Sequence, residues 1–158
     1  MPSAVTLSGS CLCGAVKYRI AGDLLISMNC HCSMCRKAHG AAFRSGAIMN
    51  VQEFAWTQGE ELVADYRSSA QNHRLFCRTC GSHMLARSDA HPAIVSVAIG
   101  TVDGDLSVSP RQHWNVASKP RGSRSLMSCR NSRWCRRADQ RSVLATRIPI
   151  ESSRCVGG

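Results

Sequence analysis

The 158-residue chain predicts a mainly β fold of short strands joined by cysteine-bearing loops. Three observations lead there. Ala15-Val-Lys-Tyr-Arg-Ile20 alternates, with Val16, Tyr18 and Ile20 on one face and Lys17 and Arg19 on the other, the period-two signature of a half-buried strand. Strand-like runs recur every ten to fifteen residues. No stretch before residue 120 sustains a helical period.

The elements follow in order. Gly14 before the first strand and Gly22-Asp23 after it supply turn chemistry. A single helical turn is expected around Cys35-Arg-Lys-Ala-His39. Phe43 to Val51, carrying Ile48, Met49 and Val51, reads as a strand, and Glu61-Leu-Val-Ala-Asp-Tyr-Arg67 alternates behind a turn at Gly59. Arg74-Leu-Phe-Cys77 enters a turn at Cys80-Gly81, and Met84-Leu-Ala-Arg87 leaves it. Ile94-Val-Ser-Val-Ala-Ile-Gly100 reads as a buried strand ended by an Asp103-Gly104 turn.

Charge divides the chain. Up to Pro120, eleven Lys and Arg face eight Asp and Glu; from Arg121 onward nine Arg face only Asp139 and Glu151, so the formal net charge of +10 belongs mostly to the last segment. That segment, rich in Arg, Ser and Cys and free of Lys, shows neither alternation nor an amphipathic stripe. It cannot bury enough apolar surface to offset an ordering cost of about 1–2 kcal/mol per residue, which predicts poor order. Two regions are therefore expected, a folded domain over 1–120 and a tail over 121–158. The start, Met1 to Leu7, has no basic and apolar leader pattern, and the run from Ala93 to Ile99 is too short to cross a bilayer, so no membrane partner and a cytoplasmic location are expected.

In a reducing compartment ten cysteines point to metal binding or catalysis more than to disulfides. Seven fall into three groups: Cys11-Leu-Cys13-Gly14, Cys30-His-Cys32-Ser-Met-Cys35 and Cys77-Arg-Thr-Cys80-Gly81. Zinc takes four ligands in a tetrahedron, so two short loops with two thiolates each complete one closed site. Cys77-x-x-Cys80-Gly is a strong half-site, since Gly permits the positive φ of a tight knuckle. Cys11 and Cys13 would point to opposite faces of a strand and can chelate together only if the chain bends beside Gly14. Pairing them with Cys77 and Cys80 predicts a structural four-thiolate centre; the plainer alternative is ordinary packed thiols.

Cys30, Cys32 and Cys35 remain. Three protein ligands and one exchangeable position describe a catalytic zinc, able to hold a thiol as thiolate or to polarise a carbonyl. His31 or His39 in the fourth position would close that site. Arg36, Lys37 and Arg44 lie near the third thiol in sequence and are candidate anchors for an anionic substrate.

Taken in order, Gly9-Ser-Cys-Leu-Cys-Gly-Ala-Val-Lys-Tyr18, Cys30-His-Cys-Ser-Met-Cys-Arg-Lys37 and Tyr66-Arg-Ser-Ser69 leading to Phe76-Cys-Arg-Thr-Cys-Gly-Ser82 resemble the glutathione-dependent formaldehyde-activating enzyme family, which includes centromere protein V. The resemblance runs from about Gly9 to Lys119. It implies a zinc-bound β-tent of short antiparallel strands with two zinc ions. Cys11, Cys13, Cys77 and Cys80 would hold the structural one, and Cys30, Cys32 and Cys35 the catalytic one. It also implies a carbon–sulfur lyase-type activity joining glutathione to formaldehyde as S-hydroxymethylglutathione, or the reverse.

One departure stands out. Family members usually follow the segment seen here as His113-Trp-Asn-Val-Ala-Ser-Lys119 with Ala-Pro-Trp and a short acidic, aromatic ending, whereas this chain runs into Pro120-Arg121 and the Arg-Ser-Cys tail. Nine Arg without Lys suit out-of-frame translation of GC-rich DNA, and resequencing the gene tests a frameshift near Lys119. The alternative function is a zinc-stabilised module binding chromatin or nucleic acid without catalysis, marked by steep salt dependence. The core offers no aromatics interleaved with cations for stacking bases. Metal-free redox sensing by Cys30, Cys32 and Cys35 is a third reading, marked by reversible disulfides.

Overall fold

The computed structural model describes residues 6–104 and 109–121. The expectation of a poorly ordered, out-of-frame tail falls, from residue 122 on, outside the described residues. Strands β1 (Thr6–Ser10), β2 (Lys17–Ala21), β3 (Ile26–Cys30), helix α1 (Ser33–His39), β4 (Arg44–Asn50), β5 (Phe54–Gln58), β6 (Val63–Arg67), β7 (Asn72–Cys77), β8 (His83–Ser88), β9 (Ile94–Ala98), β10 (Val102–Asp103) and β11 (Gln112–Trp114) follow one another. The fold is mainly β, as its sequence predicts.

The strands form two sheets: a four-stranded one in the order β10-β1-β2-β5, and a seven-stranded one in the order β11-β3-β4-β9-β8-β7-β6. Neighbours pair antiparallel except β11, which runs parallel to β3. The alternation read in β2 is real: Val16, Tyr18 and Ile20 are buried while Lys17 and Arg19 are exposed. They join Ala47 and Met49 of β4, Leu85 of β8 and Val95 and Val97 of β9 in one apolar core. Removing each large side chain from water contributes about 1.5–3 kcal/mol. Tyr18 also reaches Thr101, its hydroxyl 3.0 Å from Oγ1. Its ring lies against Gly9, where a Cβ would overlap it, so β1 needs a residue without a side chain there.

Expected strands are trimmed at their ends by 3₁₀ turns, as at Val51 after β4. After Gly59, with φ of 69°, residues 60–62 make a 3₁₀ turn and the strand starts at Val63. The last apolar run ends as strand at Ala98 and continues as a 3₁₀ turn over Ile99–Thr101. The helical turn expected around Cys35 begins at Ser33. Cys32 caps it, its Sγ accepting the Cys35 amide at 3.3 Å, and Gly40 ends it in the left-handed conformation. Short as it is, α1 is fixed at both ends.

Candidate metal centres

The two sheets bring the first group of thiols together. Cys11 and Cys13 stand in the β1–β2 connection, Cys77 at the end of β7 and Cys80 in the β7–β8 turn. Both turns are knuckles of the same design. Gly14 (φ 73°) and Gly81 (φ 75°) take the positive φ expected of them. The Gly14 amide donates to the Cys11 carbonyl at 2.9 Å and the Gly81 amide to the Cys77 carbonyl at 2.8 Å. The knuckles are tied directly, the Leu12 amide donating to Ser82 Oγ at 2.9 Å.

All four Sγ atoms lie within 4.8 Å of one another. Cys11 Sγ is 3.4 Å from Cys13 Sγ, which is 3.9 Å from Cys77 Sγ. A tetrahedron with metal–sulfur bonds of about 2.3 Å has edges of about 3.8 Å, so the donor set and its spacing fit zinc. Cys80 Sγ lies 3.3 Å from Ser82 Oγ, and its interactions with the Ser82 side chain and backbone bring its pKa down to about 5, favouring the thiolate.

The second group comes from one segment: Cys30 ends β3, Cys32 caps α1 and Cys35 lies in its first turn. Their Sγ atoms also lie within 4.8 Å of one another, and among the described residues no histidine or carboxylate joins them. Each sulfur meets an N–H donor. Asn115 Nδ2 reaches Cys30 at 3.3 Å, the Cys35 amide reaches Cys32 at 3.3 Å, and Arg74 Nη2 reaches Cys35 at 3.8 Å. Without a cation the group shares its charge unequally. Hydrogen bonds with Cys30 and Cys35 pull the Cys32 pKa down, while Cys30 and Cys32 push that of Cys35 far up. A divalent ion would let all three ionise, and a thiolate-only set suits zinc.

Neither histidine considered for the fourth position takes it. His31 turns to His113, Nε2 to Nδ1 at 2.8 Å, and His39 packs against His83 with ring centroids 4.3 Å apart and the rings tilted by 41°.

Two buried cations flank these thiols. Arg44, only 4% exposed, donates Nη1 to Ser96 Oγ at 2.9 Å and Nη2 to the Ser96 carbonyl at 2.8 Å. Its guanidinium occupies the space a side chain at Gly46 would fill. Arg74 is 8% exposed and has the Cys35 sulfur as its partner. Ion pairs among the described residues join Arg67, Arg87 and His73 to Asp65 and Asp89; none reaches Arg44 or Arg74. A buried ion without a counter-charge costs several kcal/mol. The groups able to oppose these charges are the sulfurs of Cys35, Cys30 and Cys32, which when ionised favour the Arg44 cation against the desolvation that pulls its pKa down.

A cleft of about 540 Å³ opens beside Arg74, within the range of about 300–1,000 Å³ usual for small-ligand sites. Its walls include Lys37 and Met34 of α1, Arg74 and Phe76 of β7, Tyr66 of β6 and His83 of β8. Of the three cations expected as anchors, Lys37 lines this cleft. Arg36 donates Nε to the His31 carbonyl at 3.2 Å, and Arg44 is enclosed against Ser96. Arg74, His83 and Asn115 were not singled out by sequence reasoning. They reach the thiols or the cleft from other strands and loops, and no local spacing marks them.

The model of the family described as "Glutathione-dependent formaldehyde-activating enzyme" matches residues 6–118. A Halomonas elongata protein provisionally named glutathione-dependent formaldehyde-activating enzyme is 32% identical over 124 residues, covering 72% of this chain and 77% of its own. The crystal structure of a Rhodobacter sphaeroides protein, solved as a structural-genomics target, superposes with a TM-score of 0.55 at 22% identity. It covers 68% of this chain and 98% of that one, and shows the shared fold. Among the described residues no helix is long and apolar enough to cross a membrane.

Proposed function

The chain belongs to the glutathione-dependent formaldehyde-activating enzyme family, and on that premise we propose that it catalyses carbon–sulfur bond formation between glutathione and formaldehyde, giving S-hydroxymethylglutathione, or the reverse lyase reaction. The observation that carries this reading is the three-thiol group with two buried guanidiniums beside it, next to a cleft with cationic walls.

Cys11, Cys13, Cys77 and Cys80 would hold one zinc in a closed structural set, and Cys30, Cys32 and Cys35 a second with only three protein donors. When bound, the second ion supplies stabilisation of a thiolate and polarisation of a carbonyl. The chain's own residues do the rest. Three thiolates and a divalent ion leave a charge of −1 against the two guanidiniums of Arg44 and Arg74, so the region keeps a positive balance that draws in an anionic thiol. Glutathione offers carboxylates to Lys37 and Arg74 in the cleft, and the aliphatic parts of the peptide find Met34, Ala38 and Phe76. Holding thiol and aldehyde side by side converts a bimolecular encounter into a local one, which supplies much of the acceleration. Reduced thiols in both groups fit a cytoplasmic setting, and residues 1–120 constitute the catalytic domain in this reading.

Exchange spectroscopy by NMR on glutathione, formaldehyde and their adduct tests the proposal. The expected result is adduct formation at least about tenfold above the rate without protein. Exchange no faster than in buffer, from protein with both thiol groups loaded with zinc, would overturn it.

A further inference from the structure

The following step rests on the reading of a thiol meeting an aldehyde in this cleft. His83 is the first residue of β8, paired across the sheet with Phe76 of β7, and its ring is part of the cleft wall. Its Nδ1 is buried and lacks a hydrogen-bond partner. His39 of α1 packs against the ring at a tilt and carries a second buried atom without a partner, Nε2. Since His83 Nδ1 is closed off from solvent, Nε2 is the nitrogen through which His83 can meet a molecule in the cleft. On its other flank the ring lies 6.5 Å, centroid to centroid, from Phe76, nearly parallel to it.

The charged groups facing His83 are Arg44 of β4 and Arg74 of β7. Burial first, and then these two cations, holds His83 down to about 4. Burial, His83 and the same cations hold His39 down to about 3. Both rings are therefore neutral near pH 7. A neutral imidazole keeps one N–H that can be offered to a carbonyl oxygen.

We propose that His83 donates a hydrogen bond to the aldehyde oxygen as negative charge develops there, and that His39 is a positioning residue that holds the ring. The thiol first gives its proton to water. The sulfur electron pair then forms the S–C bond, and the C=O π pair moves onto oxygen. His83 N–H stabilises that oxygen while a proton from water arrives on it. The proton lost by sulfur is balanced by the one gained by oxygen, and nothing is oxidised or reduced. In the reverse direction the same contact holds the oxygen while the S–C bond breaks.

His83→Leu and His83→Asn, in the full zinc-loaded chain, separate this role from a structural one. Turnover is read by NMR exchange, glutathione affinity by calorimetry, and folding by melting temperature and zinc per chain. His83→Leu is expected to lower kcat by about 10²–10³, the usual loss for one donor to a developing oxyanion. Glutathione affinity and zinc content should stay within about twofold, as expected when only a transition-state contact is lost. His83→Asn retains an N–H donor and should recover roughly tenfold or more of that loss. If His83→Leu does not fold, His83→Phe, which keeps a flat ring against His39, replaces it. The role is overturned if the apolar variant turns over within about threefold of wild type, if the loss lies wholly in glutathione affinity, or if His83→Asn is as impaired as the apolar variant. Wild-type protein that neither binds glutathione nor accelerates exchange overturns the proposed function and this role together. An active wild type with an indifferent apolar variant overturns this role alone.

Discussion

The four-thiol and three-thiol groups use one residue type in opposite ways. The first draws its sulfurs from two sheets, with Cys13 and Cys77 64 positions apart in the chain. The second takes all of its sulfurs from one six-residue segment. Treated as a cross-link, closing a loop of 64 residues restricts the unfolded chain by about 4 kcal/mol, whereas a loop of a few residues gives about 2 kcal/mol. A metal in the first group would therefore tie the fold together. In the second it would do about half as much for the fold, and the segment runs out of donors after three. The lesson is that sequence separation, as much as ligand count, decides whether a thiolate centre is a fastener or a site for chemistry.

The largest expected effect breaks the first group. Zinc held by four thiolates contributes on the order of 10 kcal/mol, while whole domains are stable by about 5–15 kcal/mol. Cys77→Ser is expected to yield a chain that is unfolded at 37 °C, followed by circular dichroism, and chelation of wild type should reproduce the loss. A melting temperature within a few degrees of wild type would remove the distinction between the groups.

Arg74→Met sharpens the comparison from the other side. It removes a buried cation that lacks a carboxylate and keeps an apolar stem, so stability should change by no more than about 1 kcal/mol. The lost donor to Cys35 and the lost cleft charge should lower kcat/KM for glutathione by about 10–100-fold, the range usual for the outer partners of metal ligands. Equal losses of stability and activity would make Arg74 a structural residue.

The smallest effects compare the two glycines that end the knuckle and the helix. Gly81 and Gly40 both have positive φ, and an added Cβ at either meets nothing within 4 Å. Alanine at either position should cost only backbone strain, about 1–2 kcal/mol. Gly81→Ala should also weaken retention of the first metal, whereas Gly40→Ala should leave it unchanged, which metal release into a chromophoric chelator measures.

Legibility in the sequence followed the same divide between local and distant. The three-thiol group and the two halves of the four-thiol group were visible because their spacing is local, and Gly14 and Gly81 marked the bends that make Cys-x-Cys and Cys-x-x-Cys usable. β2 was visible because one face is buried and the other wet. β3 was not: Ser27, Met28, Asn29 and Cys30 are all buried, so Ile26-Ser-Met-Asn-Cys30 has no alternation to detect. β1 was hidden by its small residues, which leave room for the Tyr18 ring over Gly9. β11 is three residues long and exists through its pairing with β3. At the site, Arg74, His83 and Asn115 could not be read because each reaches its partner across the fold. Arg44, placed by its nearness in sequence to Cys35, lies beside the thiols but is enclosed against Ser96.

Zinc per chain and melting temperature, measured together on wild type and Cys35→Ser, test the division of labour most directly. The expected result is about two ions falling to about one while the chain stays folded at 37 °C, its melting temperature lowered by no more than about 10 °C. An unchanged metal content, or loss of the fold along with the second ion, would contradict it.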